Sequence, residues 1–572
     1  MTPVKRVADA TGIFRNALWG LFALTAVLNI LALTGPIYML QVYDRVMASG
    51  SVPTLLVITA LMLLLYATNG LLDLLRTRAL TRASLGVHAR LSGPVLRANL
   101  RLPLAMGQRA ANAAPERDMD AVRRFLGSPA PASILDVPFT PLYFGLLFLF
   151  HPLLGALSLA GGAVIFVLVV VNEFSSRQPA RDLASASGAQ ARITQGARRN
   201  AEVIAAMGMG GRIASRAAEL LGGFTSAQGK SSDRSALFST TIKTLRMVLQ
   251  SAMLGLGAYL ALRQQISPGM MIASSILMSR ALSPIEQAVG QWPVLVAARQ
   301  GAERLDKVLA QTEKDDGLPG MPLPRAALRV ETLVAAAPGE QRPLLQGVDF
   351  ALKAGDALGI VGPSGSGKTS LLRAMVGVWP ALRGAVRFDG GTLDQWTEDD
   401  RGRIVGYLPQ DVELFDGTVA ENIARFDADP DMTAVVEAAT LAGIHEMVGA
   451  LPGGYGTRIG EGGARLSAGQ RQRIGLARAL FARPFLIALD EPNSNLDAEG
   501  EKALAEAIIR MRQAGSIVVV VAHRTNVLAT VNKLLRVQNG QQVAFGDRDE
   551  VAAAAVQPLV QPLRPKEVPH AV

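Results

Sequence analysis

The stretch GPSGSGKTS, Gly362 to Ser370, has the G-x-x-x-x-G-K-[ST] spacing of a phosphate-binding loop. It follows the apolar run DALGIV and opens the helix-forming stretch KTSLLRAMVGVW, which is the strand–loop–helix context such a loop needs. Glycines let main-chain N–H groups close on phosphate oxygens, and a helix N-terminus favours their charge. The expected nucleotide cradle is therefore Gly362, Pro363, Ser364, Gly365, Ser366, Gly367, Lys368, Thr369 and Ser370. Lys368 would meet the β- and γ-phosphates, and Thr369 would ligate Mg²⁺. Further on, FLIALDE ends in Asp490 and Glu491. Asp490 follows a buried strand, where its carboxylate can hold Mg²⁺ through water. Glu491 points differently and can polarise an attacking water. ATP and Mg²⁺ are the expected cofactors. Between the two lies LSAGQ, Leu466 to Gln470, a second Gly-containing turn that opens a helix. A chain that already has a phosphate loop needs a reason for another.

Short apolar segments position these groups. DALGIVG, RIVGYLP, FLIALDE and SIVVVVAH are continuous hydrophobic runs separated by helical stretches, the pattern of buried parallel strands. This nucleotide-binding part is expected over 329–555. A Gly- and Pro-rich stretch, 309–328, reads as the linker before it, and the Pro-rich end, 556–572, as a disordered tail.

The remaining half has a different composition. The chain has 572 residues, 49% of them hydrophobic, with a mean hydropathy of +0.27, which argues against an all-soluble protein. Its formal charge is +10, and it has no cysteine, which rules out disulfides, thiolate catalysis and Cys-ligated metals. Five scattered histidines show no metal-ligand spacing. Residues 17–308 are expected to form a membrane domain of six helices, at about 17–40, 53–73, 130–150, 152–172, 246–262 and 269–290. Ten arginines lie between Arg76 and Arg124, whereas the turns at 44–52, 151–152 and 263–268 carry one, none and one. The positive-inside rule then places both termini in the cytoplasm, including the short segment 1–16, together with the long loops 74–129 and 173–245. Those loops read as membrane helices continuing beyond the bilayer. Within them, Glu116–Gly127 and Ala197–Met209 are amphipathic enough to dock on the nucleotide-binding part. Asp136, Arg280 and Glu286 lie in or near spans, where charges are solvated, paired or line a path. The arginines flank spans instead of forming a compact patch, so no nucleic-acid partner is expected.

The motifs together resemble those of ATP-binding cassette proteins. LSAGQ is similar to the LSGGQ signature, GYLPQDVELFDGTVAENI carries a Q-loop glutamine, Gln410, SNLD resembles the D-loop, and VVVAHR supplies an H-loop histidine, His523. The resemblance implies a fold in two parts: a six-helix, type I exporter-like membrane domain, followed by an α/β P-loop nucleotide-binding domain. It also implies that Gln410 joins Thr369 and Asp490 at Mg²⁺, and that His523 acts in hydrolysis beside Glu491 and Lys368. In this family the signature of one chain faces the phosphate loop of another, which answers the question above. Ser467, Gly469, Gln470 and Asp497 would contact ATP held by a second chain, and a homodimer would hold two ATPs. One departure is Ala337, which stands where such exporters often carry an aromatic residue against adenine.

Longer stretches, among them WPALRGAVRFDGGTLDQW, DEPNSNLDAEGEKAL, GPIYMLQVYDRVMASGSVPTLLVIT and ILDVPFTPLYF, look like the PrtD-type permease/ATPases of bacterial type I secretion. That resemblance implies an inner-membrane ATPase that moves an unfolded polypeptide, read through a C-terminal signal, into a periplasmic adaptor and an outer-membrane channel. Membrane lipids would surround it. Only about sixteen residues precede the first span, so no peptidase-like domain is expected there. A lipid or small-molecule exporter of the same fold is the alternative.

Overall fold

The computed structural model describes residues 7–12, 15–107, 110, 113–312, 320–522 and 525–556. The chain divides into two compact units, Met1–Leu102 with Ala111–Glu313, and Pro103–Ala110 with Lys314–Val572.

The first unit is helical. Among the described residues, five stretches are long and apolar enough to cross a membrane: Leu18–Ser49, Val52–Met106, Ala130–Phe150, Pro152–Arg199 and Gly210–Leu262. Leu56, Val57 and Leu64 on the second are about two-thirds exposed. Three of the helices run for 55, 48 and 53 residues. At ~1.5 Å per residue each reaches ~70–80 Å, more than twice the ~30 Å hydrocarbon core. The two long loops of the sequence are thus largely helix.

The sixth expected span is a helix of different composition from the other five. Pro268–Gly290 is a helix, yet it falls outside the five stretches that qualify by length and apolarity. Ser274, Ser275, Ser279, Glu286 and Gln287 lower its hydropathy, and Ser274 and Ser275 are buried. It packs on Gly210–Leu262, Thr34–Gln41 and Thr140–Phe150. A helix surrounded by other helices needs no continuous apolar coat, and its small residues allow close approach.

Asp136 and Glu286 are both paired. Arg76 Nη1 and Asn29 Nδ2 both donate to Asp136 Oδ1 at 2.9 Å, and the Tyr143 hydroxyl donates to Asn29 Oδ1 at 3.0 Å. Arg246 bonds Glu286 at 2.5 Å and Ser279 at 2.9 Å. These bonds fix helix against helix where unpaired charge would be costly.

The docking expectation for Glu116–Gly127 is overturned. The helix there, Pro115–Leu126, buries Met119 and Val122 and packs on Trp292–Thr312. Asp118 bonds Arg304 at 2.5 Å, and Gly301 lets the Asp118 backbone come close. Its apolar face is already covered. The second candidate is different. The short helix Ala201–Ala206 leaves Val203 and Met207 exposed, and Gly208 turns the chain at φ 61° into the next helix.

The second unit is built on two sheets. Its strands are β1 (Ala327–Ala335), β2 (Leu345–Lys353), β3 (Ala357–Val361), β4 (Ala381–Phe388), β5 (Gly391–Thr392), β6 (Val405–Leu408), β7 (Leu486–Asp490), β8 (Ile517–Val521), β9 (Lys533–Gln538) and β10 (Gln541–Asp547). β2-β1-β4-β5 form an antiparallel sheet, and β10-β9-β3-β8-β7-β6 a larger one. In the larger sheet β9, β3, β8, β7 and β6 are parallel, with β10 antiparallel at the edge. Every residue of β7 and β8 is buried. Ile487, Leu489, Val518 and Val520 pack on one face, and Leu486, Ala488, Ile517 and Val519 on the other. Strands covered on both faces are why the sequence shows unbroken apolar runs there. Their shared direction puts the ends of β3, β7 and β8 along one sheet edge, where ligands bind in such folds.

Candidate nucleotide site

The loop after β3 and the helix Lys368–Met375 build the cradle. Gly365 at φ 74° and Gly367 at φ 101° adopt left-handed backbone, and Gly367 is the residue at which the helix starts. A side chain at either would be strained, so the glycine spacing follows from the turn itself. Lys368 is buried, and its Nζ donates to the carbonyls of Gly362 and Pro363 at 3.0 and 2.9 Å. Burial pushes its ammonium below the usual lysine range, while the nearby Glu491 and Asp490 oppose that shift. Ser366 Oγ is buried with no hydrogen-bond partner among the described residues.

Thr369 and Asp490 come together as the sequence requires. Thr369 Oγ1 donates to Asp490 Oδ1 at 3.2 Å, while Asp490 Oδ2 is buried with no partner among the described residues. Burial raises the Asp490 carboxyl above its ordinary range, against the Thr369 hydrogen bond that lowers it. A hydroxyl, a carboxylate with an open oxygen and an ammonium at a helix N-terminus fit Mg²⁺ and the phosphates of ATP. Thr369 and Asp490 would hold Mg²⁺, which would supply positive charge against the phosphates.

Glu491 directly follows β7. Its φ is +49°, unusual for a residue with a side chain, and such backbone costs of the order of 1–3 kcal/mol. Its N–H donates to Val521 O at 3.0 Å, which ties it to the end of β8. Gln410, exposed just beyond β6, donates from Nε2 to Glu491 Oε2 at 3.3 Å. Lys368, Thr369, Asp490, Gln410 and Glu491 thus share one sheet edge. His523 lies outside the described residues.

The signature forms a separate group. Ser467 Oγ accepts from Gln470 N at 3.2 Å, and Gln470 Oε1 accepts from Ser467 N at 2.9 Å, which closes a capping box on the helix Ala468–Leu480. Asp497 caps the next helix through Gly500 N at 2.9 Å and pairs with Arg473 at 2.5 Å. The Gly500 N–H and the Arg473 charge hold its carboxyl below the usual range. Ser467, Gly469, Gln470 and Asp497 line one recess of about 390 Å³ with Met447, Arg473 and Asn495, and no phosphate-loop residue lines it. The side chains of Ser467, Gln470 and Asp497 are therefore engaged within the chain. Sequence reasoning missed Gln472 and Arg473, although the spacing 469, 472, 473 marks one helix face.

Ala337 is half-buried in the turn after β1, and its carbonyl accepts from Glu340 N at 2.9 Å. Its methyl group gives adenine no ring to stack on.

The family model described as "ABC transporter" matches residues 345–494, and "ABC transporter transmembrane region" matches 18–284. The chain is 44% identical over 570 residues, 99% of its length and 97% of the relative's, to the type I secretion system ATP-binding protein PrsD of Rhizobium meliloti (strain 1021). It is 28% identical to a toxin RTX-I translocation ATP-binding protein of Actinobacillus pleuropneumoniae, over 92% of this chain and 75% of that one. The solved structure of a bacterial Atm1-family ABC exporter with ATP bound superposes with a TM-score of 0.80, over 95% of this chain and 97% of the other, at 20% identity. That likeness concerns the fold.

Proposed function

We propose, from a chain that belongs to the ATP-binding cassette transporters of the PrtD/PrsD type, that two copies form the ATP-driven motor of a type I secretion system in a bacterial inner membrane. The observation that carries this reading is the division of the nucleotide unit into two incomplete groups. The phosphate loop, Thr369, Asp490, Glu491 and Gln410 form one, and the recess around Ser467 and Gly469 forms the other. Pairing two chains head to tail completes both, since each signature then closes on the partner's phosphate loop.

The six-helix reading of the membrane domain counts Pro268–Gly290 as a span buried among the other five. Both termini lie on the cytoplasmic side, where the arginines flank the spans. The cargo is an unfolded polypeptide with a C-terminal signal, passed to a periplasmic adaptor and an outer-membrane channel. The matching proteins support this, since their names concern secretion and toxin translocation. The test is co-purification with candidate adaptors, followed by ATPase assays in vesicles. A polypeptide carrying its C-terminal signal should change the turnover, and the same polypeptide without that signal should not. Stimulation by lipids alone, without adaptor binding, would favour a lipid exporter instead.

ATP biases the membrane helices only through contacts that differ between open and closed cassettes. Val203 and Met207 give the helix Ala201–Ala206 the free apolar face that such docking needs. On the nucleotide unit, Glu461 sits in an exposed turn just before the signature, between Gly460 and Gly462 at φ 74° and 64°. Glu461→Ala should keep basal ATPase within about threefold, under ~1 kcal/mol, while cargo-dependent modulation and export fall sharply. Full export by that variant would remove Glu461 from the coupling path.

A further inference from the structure

The signature helix and the turn bearing Glu491 are joined by one buried side chain. Gln472, 2% exposed, lies one turn into the helix Ala468–Leu480. Its Nε2 donates to Pro492 O at 2.6 Å, Ser494 Oγ at 3.2 Å and Glu491 O at 3.4 Å. Its Oε1 accepts from Asn495 N at 3.0 Å. On the same helix face, Gly469 lets the Asn495 carbonyl approach to 2.9 Å from where a Cβ would stand, and Arg473 bonds Asp497. The Glu491 peptide is thereby held from two sides, by Val521 O at its N–H and by Gln472 at its carbonyl. Between those points its backbone keeps φ +49°. Non-glycine residues hold such a conformation only where their surroundings over-determine it.

We propose that Gln472 is the positioning residue of the hydrolytic site. It locks the Glu491 turn in its left-handed conformation, so that the carboxylate faces the attacking water, and it makes that turn one rigid piece with the signature. This rests on Glu491 being the general base. Gln472 is buried with its amide bonded to the 491–495 turn, and bonds neither the phosphate loop nor the Thr369–Asp490 pair, so its loss lowers the rate of the chemical step and leaves ATP binding intact. The same bonds connect the two groups of the chain. The signature reads ATP on the partner's loop, and the Glu491 turn serves ATP on this chain's own loop.

The full-length protein with Gln472→Met tests this, because Met fills nearly the same volume yet cannot donate to the Pro492 and Glu491 carbonyls. Turnover should fall roughly 10- to 100-fold, with KM for ATP within about twofold and the melting temperature close to wild type. Combined with Glu491→Gln, it should lower the residual rate no further, since both changes remove the same positioned base. If Gln472→Met does not fold, Gln472→Asn, one methylene too short to span the gap, is judged by the same criteria. Turnover within twofold of wild type, a KM increase that accounts for the whole loss, or full additivity with Glu491→Gln would each overturn the proposal. Near-normal turnover by Glu491→Gln alone would instead reject the general base itself, so the two failures are distinguishable.

Discussion

Glu491→Gln should leave ATP binding intact and lower hydrolysis by roughly 10²-fold or more. Glutamine keeps the shape of the side chain and can still meet Gln410, but it cannot accept a proton from water. The cradle is untouched, because Lys368, Thr369 and Asp490 make their bonds independently of the Glu491 carboxylate. Steady-state ATPase with an equilibrium measurement of nucleotide binding checks both halves. Near-normal turnover would take Glu491 out of the reaction. Loss of binding would show that its carboxylate holds the loop.

Mixing chains that carry Lys368→Ala with chains that carry Ser467→Arg should restore one working site per mixed dimer. Either homodimer has both composite sites damaged, one set at the loops and the other at the signatures. In the mixed dimer both defects fall in the same site, leaving the wild-type loop opposite the wild-type signature. The expected readout is one nucleotide trapped per mixed dimer and essentially none per homodimer. Absence of trapping in dimers verified as mixed would contradict the cross-chain geometry. Ser467→Arg is disruptive for a local reason as well, since Ser467 caps its helix and lines the recess the partner's nucleotide would enter.

The nucleotide site is the most legible part of the sequence. Gly365 and Gly367 are dictated by left-handed turns, and Asp490 by the end of a strand buried on both faces. Such constraints act on single residues and leave a mark at fixed spacing. The antiparallel sheet β2-β1-β4-β5 was less visible, although LQGVDFALK does alternate buried and exposed positions along β2. Hydropathy alone does not register what covers the Pro268–Gly290 helix: its neighbours are protein, and Ser274 and Ser275 are buried among them. The same limit explains Pro115–Leu126. An amphipathic pattern shows that a helix covers something, and here the partner is Trp292–Thr312 of the same unit. For Gln472 the spacing with Gly469 and Arg473 marks a helix face but not what its amide meets. Its role depends on which carbonyls the fold places within 3 Å of it.

If hydrolysis at these paired sites drives a polypeptide out of the cell, export and turnover must fall together. Cells with the chain, its adaptor and its channel should release a cargo bearing its C-terminal signal into the medium. Release should fall to background with Glu491→Gln at equal membrane abundance, and also when the cargo's C-terminus is deleted. Undiminished release by the Glu491→Gln protein, in cells with no other copy of the transporter, would contradict the account.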